Sequence, residues 1–234
     1  MPQLRSRLLS AFGPQRDIHR LDPVSQLVNA MISSRTRDEV SLAAFERLWR
    51  RYPSWDLLIP APAAEIEAII RAVNFAERKA VDLPRALRKI VAQTGALDLH
   101  FLADWEEEMS LQRLRGLPGV GTKIAATVLN FSTLRKRTLP VDTHLLRVGV
   151  RLGLLPDNAD YETGYDMFMR LVPDEWDGDD LYEVHWLMKY HGQRTCTHAA
   201  PACSRCPLRD LCPVASPKGT LHRQGFTRQN ASSG

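Results

Sequence analysis

The feature that most constrains the fold is the spacing of apolar residues, which recur at helical intervals along most of the chain. Leu27 and Met31 show this spacing after Asp22-Pro23, a pair typical of a helix N-terminus. Alternating apolar and polar runs, as in strands, are scarce. Further helices are predicted over residues 38–51, 63–73, 77–93, 106–114, 122–134, 143–154, 161–171 and 180–190. The last is expected to end at a His191-Gly192 C-cap. We therefore predict an all-α fold.

Length and composition indicate a protein that folds without disulfides. The chain has 234 residues and an ordinary hydrophobic content of 44%. Its first residues contain no apolar run of signal-peptide length, and no later run approaches the roughly 18 apolar residues of a membrane span. We therefore expect a cytoplasmic protein with no membrane partner.

The net charge of +4 is only a weak indication of a polyanionic partner. Three of the positive charges, Lys218, Arg223 and Arg228, lie in an acid-free tail, so the rest of the chain carries only +1. Because the tail is polar and poor in large apolar side chains, we expect residues 215–234 to form a disordered basic segment. Charge alone therefore identifies no partner.

Four cysteines near the end of the chain indicate a metal site. Cys196, Cys203, Cys206 and Cys212 have the spacing C-x6-C-x2-C-x5-C, and cytoplasmic disulfides rarely persist. A zinc site would more often use two Cys-x-x-Cys pairs, whereas only one is present here. A [4Fe-4S] cubane needs one thiolate for each of four irons, which one short segment can supply. The spacing favours the cluster, and zinc is the alternative.

The segment from Leu114 to Leu129, LRGLPGVGTKIAATVL, predicts two helices joined by a tight turn. Pro118 ends the first helix, Gly119 and Gly121 are expected at positive φ, and the second helix begins near Thr122. Free backbone N–H groups at that helix N-terminus would bind a DNA phosphate without regard to sequence. A plain connection between helices is the alternative.

Lys123 falls in the first turn of the second helix. The helix dipole and the unbonded amides there disfavour a further positive charge, and partial burial lowers a lysine pKa in the same direction. Both effects raise the fraction of neutral, nucleophilic amine. A solvated charge or a phosphate contact is the alternative.

Asp142, in LPVDTHLLRVGVRLGL, precedes another apolar-periodic helix and is expected to be its N-cap. A carboxylate fixed in this way suits the stabilisation of positive charge on a sugar during glycosidic cleavage. Capping without catalysis is the alternative.

In this order, LPGVG-x-K, VDTH and the cysteine spacing resemble the endonuclease III family of helix-hairpin-helix DNA glycosylases, over about residues 21–213. The resemblance implies two all-α domains with DNA in the cleft between them. The central domain would comprise residues 22–135, and the second would combine 1–21 with 136–214 and the [4Fe-4S] cluster. Lys123 falls at the family's Schiff-base lysine and Asp142 at its catalytic aspartate.

The implied activity is that of a bifunctional DNA glycosylase/AP lyase at the bacterial nucleoid, acting as a monomer on duplex DNA with damaged bases or abasic sites. A damaged base is flipped out, Lys123 attacks C1′ with Asp142 assisting, and β-elimination nicks the strand 3′ to the site. The usual substrates are oxidised pyrimidines. Relatives that remove adenine opposite oxidised guanine lack this lysine and carry an added domain, so that activity is disfavoured.

Two positions depart from the family in its DNA-contacting loops. Arg35, in ISSRTRD, stands where the family has the glutamine that fills the gap left by the flipped base. Phe75, in VNFAERKA, stands where the family has an apolar wedge and could stack in the opened duplex, with core packing as the alternative. The remaining predicted DNA contacts are Leu117, Gly119, Val120, Gly121, Thr122 and His144.

The loop THAAPA, between the first two cysteines, lacks the basic residues that the family commonly has there. We therefore expect it to contact phosphates more weakly. Three alternatives to the main reading are a thymine glycosylase at T·G mismatches, a non-catalytic DNA-binding protein that keeps the hairpin and cluster, and a ferredoxin-like electron carrier. The carrier would leave the hairpin unexplained.

Overall fold

The computed structural model describes residues 1–15 and 19–215. They form α-helices and short 3-10 helices and contain no strand, which confirms the predicted all-α class. The helices are α1 (Pro2–Phe12), α2 (Pro23–Ser33), α3 (Asp38–Arg51), α4 (Ala63–Ile70), α5 (Ala76–Thr94), α6 (Glu107–Arg115), α7 (Thr122–Phe131), α8 (Thr143–Arg151), α9 (Tyr161–Leu171) and α10 (Gly178–Arg194). The 3-10 helices cover Trp55–Leu58, His100–Asp104, Cys203–Arg205 and Arg209–Leu211.

The chain divides into two compact units. The hairpin unit contains residues 19–140 and Trp176–Tyr182, and the cysteine unit contains residues 1–15, Val141–Glu175 and 183–215. The domain boundaries expected from the family resemblance stay a prediction. The basic tail expected over residues 215–234 lies outside the described residues from 216 onward.

In the hairpin unit, α2 is the central helix. It packs against α3, α5 and α7, while α4 packs on α5 and α6 on α7. Most of its residues are buried, as expected for a helix enclosed on several sides. Asp22 caps it as predicted, since its Oδ1 accepts hydrogen bonds from the backbone N–H groups of Val24 and Ser25, each at 3.0 Å.

The cysteine unit contains α1, α8, α9 and most of α10. Helix α1 was not predicted from the sequence, because it buries only Leu4 and Leu8, too few apolar residues to show a periodicity. Arg5 of α1 forms an ion pair with Glu183 of α10, with Nη2 2.6 Å from Oε2. This partly buried pair links α1 to α10.

The predicted C-cap at His191-Gly192 is wrong, because α10 continues to Arg194. Gly192 serves close packing instead, since a Cβ atom there would lie 2.8 Å from the Cβ of His144. The glycine therefore marks where α8 meets α10 rather than where α10 ends. Among the described residues, no helix is both long enough and apolar enough to cross a membrane.

Candidate functional site

The hairpin between α6 and α7 is a tight turn with a buried apolar base. The side chains of Leu117 and Val120 are buried, and the N–H of Val120 donates to the carbonyl of Leu117 at 3.2 Å. Gly119 has the predicted positive φ, at 73°. The same prediction for Gly121 is wrong, because this residue has φ −100° and ψ −178°. Gly121 is the N-cap of α7, which requires an extended backbone.

The hairpin rests on α5 and α2. A Cβ atom added to Gly119 would lie 3.0 Å from the Cβ of Asp82 and 3.2 Å from the Cε of Met31. Asp82 is buried, and its Oδ2 accepts a hydrogen bond from Nε of Arg78 at 2.7 Å. Only glycine fits the turn at this point, both for its φ and for the space available.

Lys123 is the second residue of α7, directly after the hairpin, and is half-buried. Its carbonyl accepts a hydrogen bond from Oγ1 of Thr127 at 2.7 Å. Ile124 and Ala125, which follow it, are buried in the unit's core. The position in the first helical turn agrees with the sequence prediction, and Thr122 starts the helix as expected.

Lys79, on α5, is a buried lysine that the sequence analysis missed. Its Nζ donates to the carbonyls of Ile32 and Ser34, each at 2.7 Å, and to Oγ1 of Thr36 at 3.4 Å. Burial, and then the charge of Lys123, lower the pKa of Lys79 to about 8. Its burial could have been predicted from the sequence, because Lys79 falls one turn before Leu83 on the apolar face of a strongly amphipathic helix.

Arg35 and Phe75 lie side by side at the surface of the hairpin unit. Both have left-handed backbones, with φ of 55° and 60°, which is uncommon for residues with large side chains. Cζ of Arg35 lies 5.7 Å from the centre of the Phe75 ring. Because Phe75 is 60% exposed, the alternative of core packing is wrong.

Asp142 caps α8 as predicted. Its Oδ1 accepts hydrogen bonds from the N–H groups of His144 at 2.8 Å and Leu145 at 2.9 Å. The backbone is extended, and the side chain is half-buried. The cap therefore fixes the direction of the carboxylate.

Two arginines on α8 bind the beginning of the cysteine segment, residues 196–212. Arg147 donates from Nε to the carbonyl of Cys196 at 2.9 Å, and its Nη2 lies 3.0 Å from Nδ1 of His144. Arg151 donates from Nη1 to the carbonyl of Thr197 at 2.7 Å and lies 3.3 Å from Sγ of Cys196. Their spacing of four residues puts both on one face of the helix, a signal that the sequence analysis did not use.

The four cysteines line one shared pocket. All four are unpaired thiols. The cavity wall is otherwise largely apolar and includes Val148, Leu152, Pro201 and Leu208. Among the described residues, no three His, Cys, Asp or Glu side chains converge as they would around one metal ion.

The predicted site residues therefore fall in both units. Arg35, Phe75, the hairpin and Lys123 belong to the hairpin unit, whereas Asp142, His144 and the cysteines belong to the cysteine unit. The side chains of Leu117 and Val120 are buried and do not face a ligand.

Comparison with known proteins identifies the family. A family model described as "HhH-GPD superfamily base excision DNA repair protein" matches residues 28–174. Endonuclease III of Synechocystis sp. is 32% identical over 194 residues, which cover 82% of each protein. The chain belongs to the endonuclease III family. Endonuclease III of Treponema pallidum is 30% identical over 199 residues, covering 85% of this chain and 87% of the relative.

A solved structure shares the fold of this endonuclease III family member. The structure of a trapped endonuclease III–DNA covalent intermediate matches with a TM-score of 0.75 at 24% identity, covering 92% of this chain and 94% of that one. Membership of the endonuclease III family makes the chain a DNA glycosylase/AP lyase of base excision repair, and a DNA-binding protein. The family, fold and enzyme class predicted from the sequence are confirmed.

Proposed function

We propose that Lys123 is the nucleophile of this endonuclease III family enzyme and that its substrates are oxidised pyrimidines in duplex DNA. The observation that carries the proposal is the place of Lys123, half-buried in the first turn of α7 directly after the hairpin. The charge of Lys123 contributes to the lowered pKa of Lys79, so the two lysines lie near enough for their ammonium groups to interact. The neutral amine is the nucleophilic form.

The proposed reaction begins with a damaged base flipped out of the duplex, since the glycosidic carbon cannot be reached within the stack. Nζ of Lys123 forms a bond to C1′ of the sugar. The glycosidic bond breaks, and its electron pair leaves with the base, which takes up a proton. After the sugar ring opens, the lysine nitrogen and C1′ form an imine. Loss of a C2′ proton then expels the 3′ phosphate, and the strand is nicked.

Asp142 supplies negative charge as the base departs. Bond breaking builds positive charge on the deoxyribose, and a carboxylate fixed in direction stabilises that charge. The cap supports this role, because both backbone hydrogen bonds go to Oδ1 and hold the group in place. His144 follows in the same turn and is proposed as a DNA contact.

The N-terminus of α7 is proposed to bind a DNA phosphate. Gly121 has no side chain with which to accept hydrogen bonds from the first backbone N–H groups of the helix, which begins at Thr122. These donors lie at the positive end of the helix dipole. Gly119 and the backbones of Leu117 and Val120 give the turn the shape that presents them.

Arg35 and Phe75 are proposed to fill the opened duplex. Their exposed side chains stand together, with the guanidinium near the aromatic face. A planar cation and an aromatic ring can both stack on bases, and arginine also offers several hydrogen-bond donors to the base opposite the gap. Arg35 therefore sets the opposite-base preference in this proposal.

We propose that Cys196, Cys203, Cys206 and Cys212 hold a [4Fe-4S] cluster, each thiolate binding one iron. The proposal is supported by the four free thiols that line one pocket and by their spacing, which contains only one of the Cys-x-x-Cys pairs typical of zinc sites. When bound, the cluster would crosslink the segment after α10. Its role is structural, since the residues proposed for the chemistry lie elsewhere in the chain.

A panel of duplexes tests the substrate class. Duplexes with thymine glycol, with a T·G mismatch and with adenine opposite oxidised guanine would be incubated with the enzyme at equal concentrations. We expect cleavage of the thymine glycol strand with a 3′ product of β-elimination. Cleavage confined to T·G would show that the substrate is a mismatch, and cleavage of none would contradict the proposed activity.

A further inference from the structure

We propose that Lys79 is a positioning residue that locks the loop carrying Arg35 against the turn carrying Phe75, so that the two side chains enter the duplex as one preformed pair. The inference rests on the proposed function of Arg35 and Phe75. In this proposal Lys79 contacts neither DNA nor the reacting atoms, and it acts through Arg35 and Phe75, which contact DNA.

The buried ammonium group of Lys79 bonds to one short segment of the chain. Its side chain is only 7% exposed, and a buried ammonium group requires hydrogen-bond partners. Three are present, all between residues 32 and 36: the carbonyls of Ile32 and Ser34 and the hydroxyl of Thr36. Ile32 and Ser34 mark the end of α2, where helix carbonyls have no backbone partner. The ammonium group of Lys79 is thus hydrogen-bonded both to the end of α2 and to the loop that follows.

This loop is also bonded to the turn before α5. Nδ2 of Asn74 donates to the carbonyl of Arg35 at 2.6 Å, and the N–H of Asn74 donates to Oγ1 of Thr36 at 3.2 Å. Thr36 therefore accepts hydrogen bonds from both Lys79 and Asn74. The loop is therefore bonded both to the buried ammonium group of Lys79 and to Asn74, the residue that precedes Phe75.

The backbone of the pair has an uncommon conformation. Arg35 and Phe75 both have positive φ, and such conformations persist only where the surroundings impose them. The bonds of Lys79 and Asn74 surround Arg35 on both sides in sequence, at Ser34 and Thr36 and at its own carbonyl. Phe75 is the N-cap of α5, the helix that carries Lys79 one turn later. The hydrogen bonds that Lys79 and Asn74 make to Ser34, Arg35 and Thr36 therefore hold the backbones of both Arg35 and Phe75 in place.

The consequence is a pair that needs no ordering when DNA binds. Cζ of Arg35 lies 5.7 Å from the centre of the Phe75 ring, so the two side chains are already in contact with each other. Binding by groups that are already ordered avoids the entropy cost of immobilising them. Removing Lys79 leaves its acceptors without their donor and frees the loop, so that this cost returns.

The test uses a duplex with a tetrahydrofuran abasic analogue opposite 2-aminopurine, whose fluorescence rises when it is unstacked. This duplex cannot react, so the result is independent of the chemistry assigned to Lys123. Wild-type enzyme should raise the fluorescence. Lys79→Met should lose most of that rise at saturating protein and bind the duplex about ten-fold more weakly. Equal fluorescence in the two proteins, or no rise with wild type, would overturn the inference.

Two further variants separate positioning from general damage to the fold. Arg88→Met is the matched control, because Arg88 also lies on α5 and donates to a backbone carbonyl, that of Ile59 at 2.8 Å, away from the loop. It should behave as wild type. Asn74→Ala removes the bond to Arg35 from an exposed side chain and should lower the fluorescence in the same direction, which carries the test if Lys79→Met does not fold.

A double-mutant cycle gives the sharpest result. If Lys79 acts through Arg35 and Phe75, then Lys79→Met should have no further effect on duplex affinity once both side chains are replaced by alanine. An undiminished effect in that background would show that Lys79 supports the fold in general, and the inference would fail. Failure of the proposed function itself would appear elsewhere, as a lack of covalent trapping by wild-type enzyme.

Discussion

Gly119 packs so closely against Asp82 that a Cβ atom added to the glycine would lie 3.0 Å from the Cβ of the aspartate. The glycine also has φ 73°. Gly119→Ala should therefore lower the free energy of unfolding by about 1–3 kcal/mol, measured by urea denaturation. Gly121→Ala is the control, since φ there is negative and no atom lies within 4 Å of the added Cβ. Equal stability losses in the two variants would contradict this account of the hairpin.

Asp142→Asn should separate capping from catalysis. Asparagine caps helices as well as aspartate does, so the free energy of unfolding should change by less than about 0.5 kcal/mol. Loss of the charge should slow excision of thymine glycol about 100- to 1,000-fold in single-turnover assays. Asp22→Asn is a matched control, because Asp22 caps α2 through the same two-bond geometry. Unchanged excision by Asp142→Asn would leave Asp142 as a cap alone.

The titration of Lys79 should appear in the stability of the protein at alkaline pH. Burial and the charge of Lys123 lower its pKa from 10.5 to about 8. Between these values the unfolded chain holds the proton and the folded chain releases it, so raising the pH increases the free energy of unfolding. As the pH rises from 8 to 10.5, the free energy of unfolding of wild type should increase relative to that of Lys79→Met by at most ~1.4 kcal/mol per pH unit. Parallel curves between pH 8 and 10.5 would show that this lysine has an ordinary pKa.

The cysteine segment should contain iron, and losing a ligand should affect the fold before the chemistry. Purified protein should hold about four irons and no zinc per chain. Cys196→Ser should lower the iron content and the melting temperature, because the metal stabilises the folded segment. Ser204→Ala, at an exposed position between the second and third cysteines, should leave both unchanged. One zinc and no iron would contradict the cluster.

Much of the fold could be predicted because its signals are local. The helical spacing, the Asp22 and Asp142 caps and the glycine turn at Gly119 each depend on residues close in sequence. Helix α1 could not be predicted, because its two buried leucines are too few to show a helical periodicity. Gly192 was misread, since a glycine needed for close contact with another helix resembles a glycine that ends one.

The candidate site divides in the same way. Lys123 and the cysteines are recognisable from motifs of a few residues. Lys79 is not, because its partners lie about 45 residues earlier in the chain and only the tertiary fold brings them to its ammonium group. The paired exposure of Arg35 and Phe75 depends on the same long-range contacts.

Covalent trapping tests the central claim, that Lys123 forms the imine. Wild-type enzyme, Lys123→Ala and the control Lys189→Ala would each be incubated with a duplex bearing an abasic site, and borohydride would then reduce any imine. The account predicts a covalent protein–DNA adduct with wild type and with Lys189→Ala, and none with Lys123→Ala. An adduct of equal yield with Lys123→Ala would contradict it and show that another amine attacks the sugar.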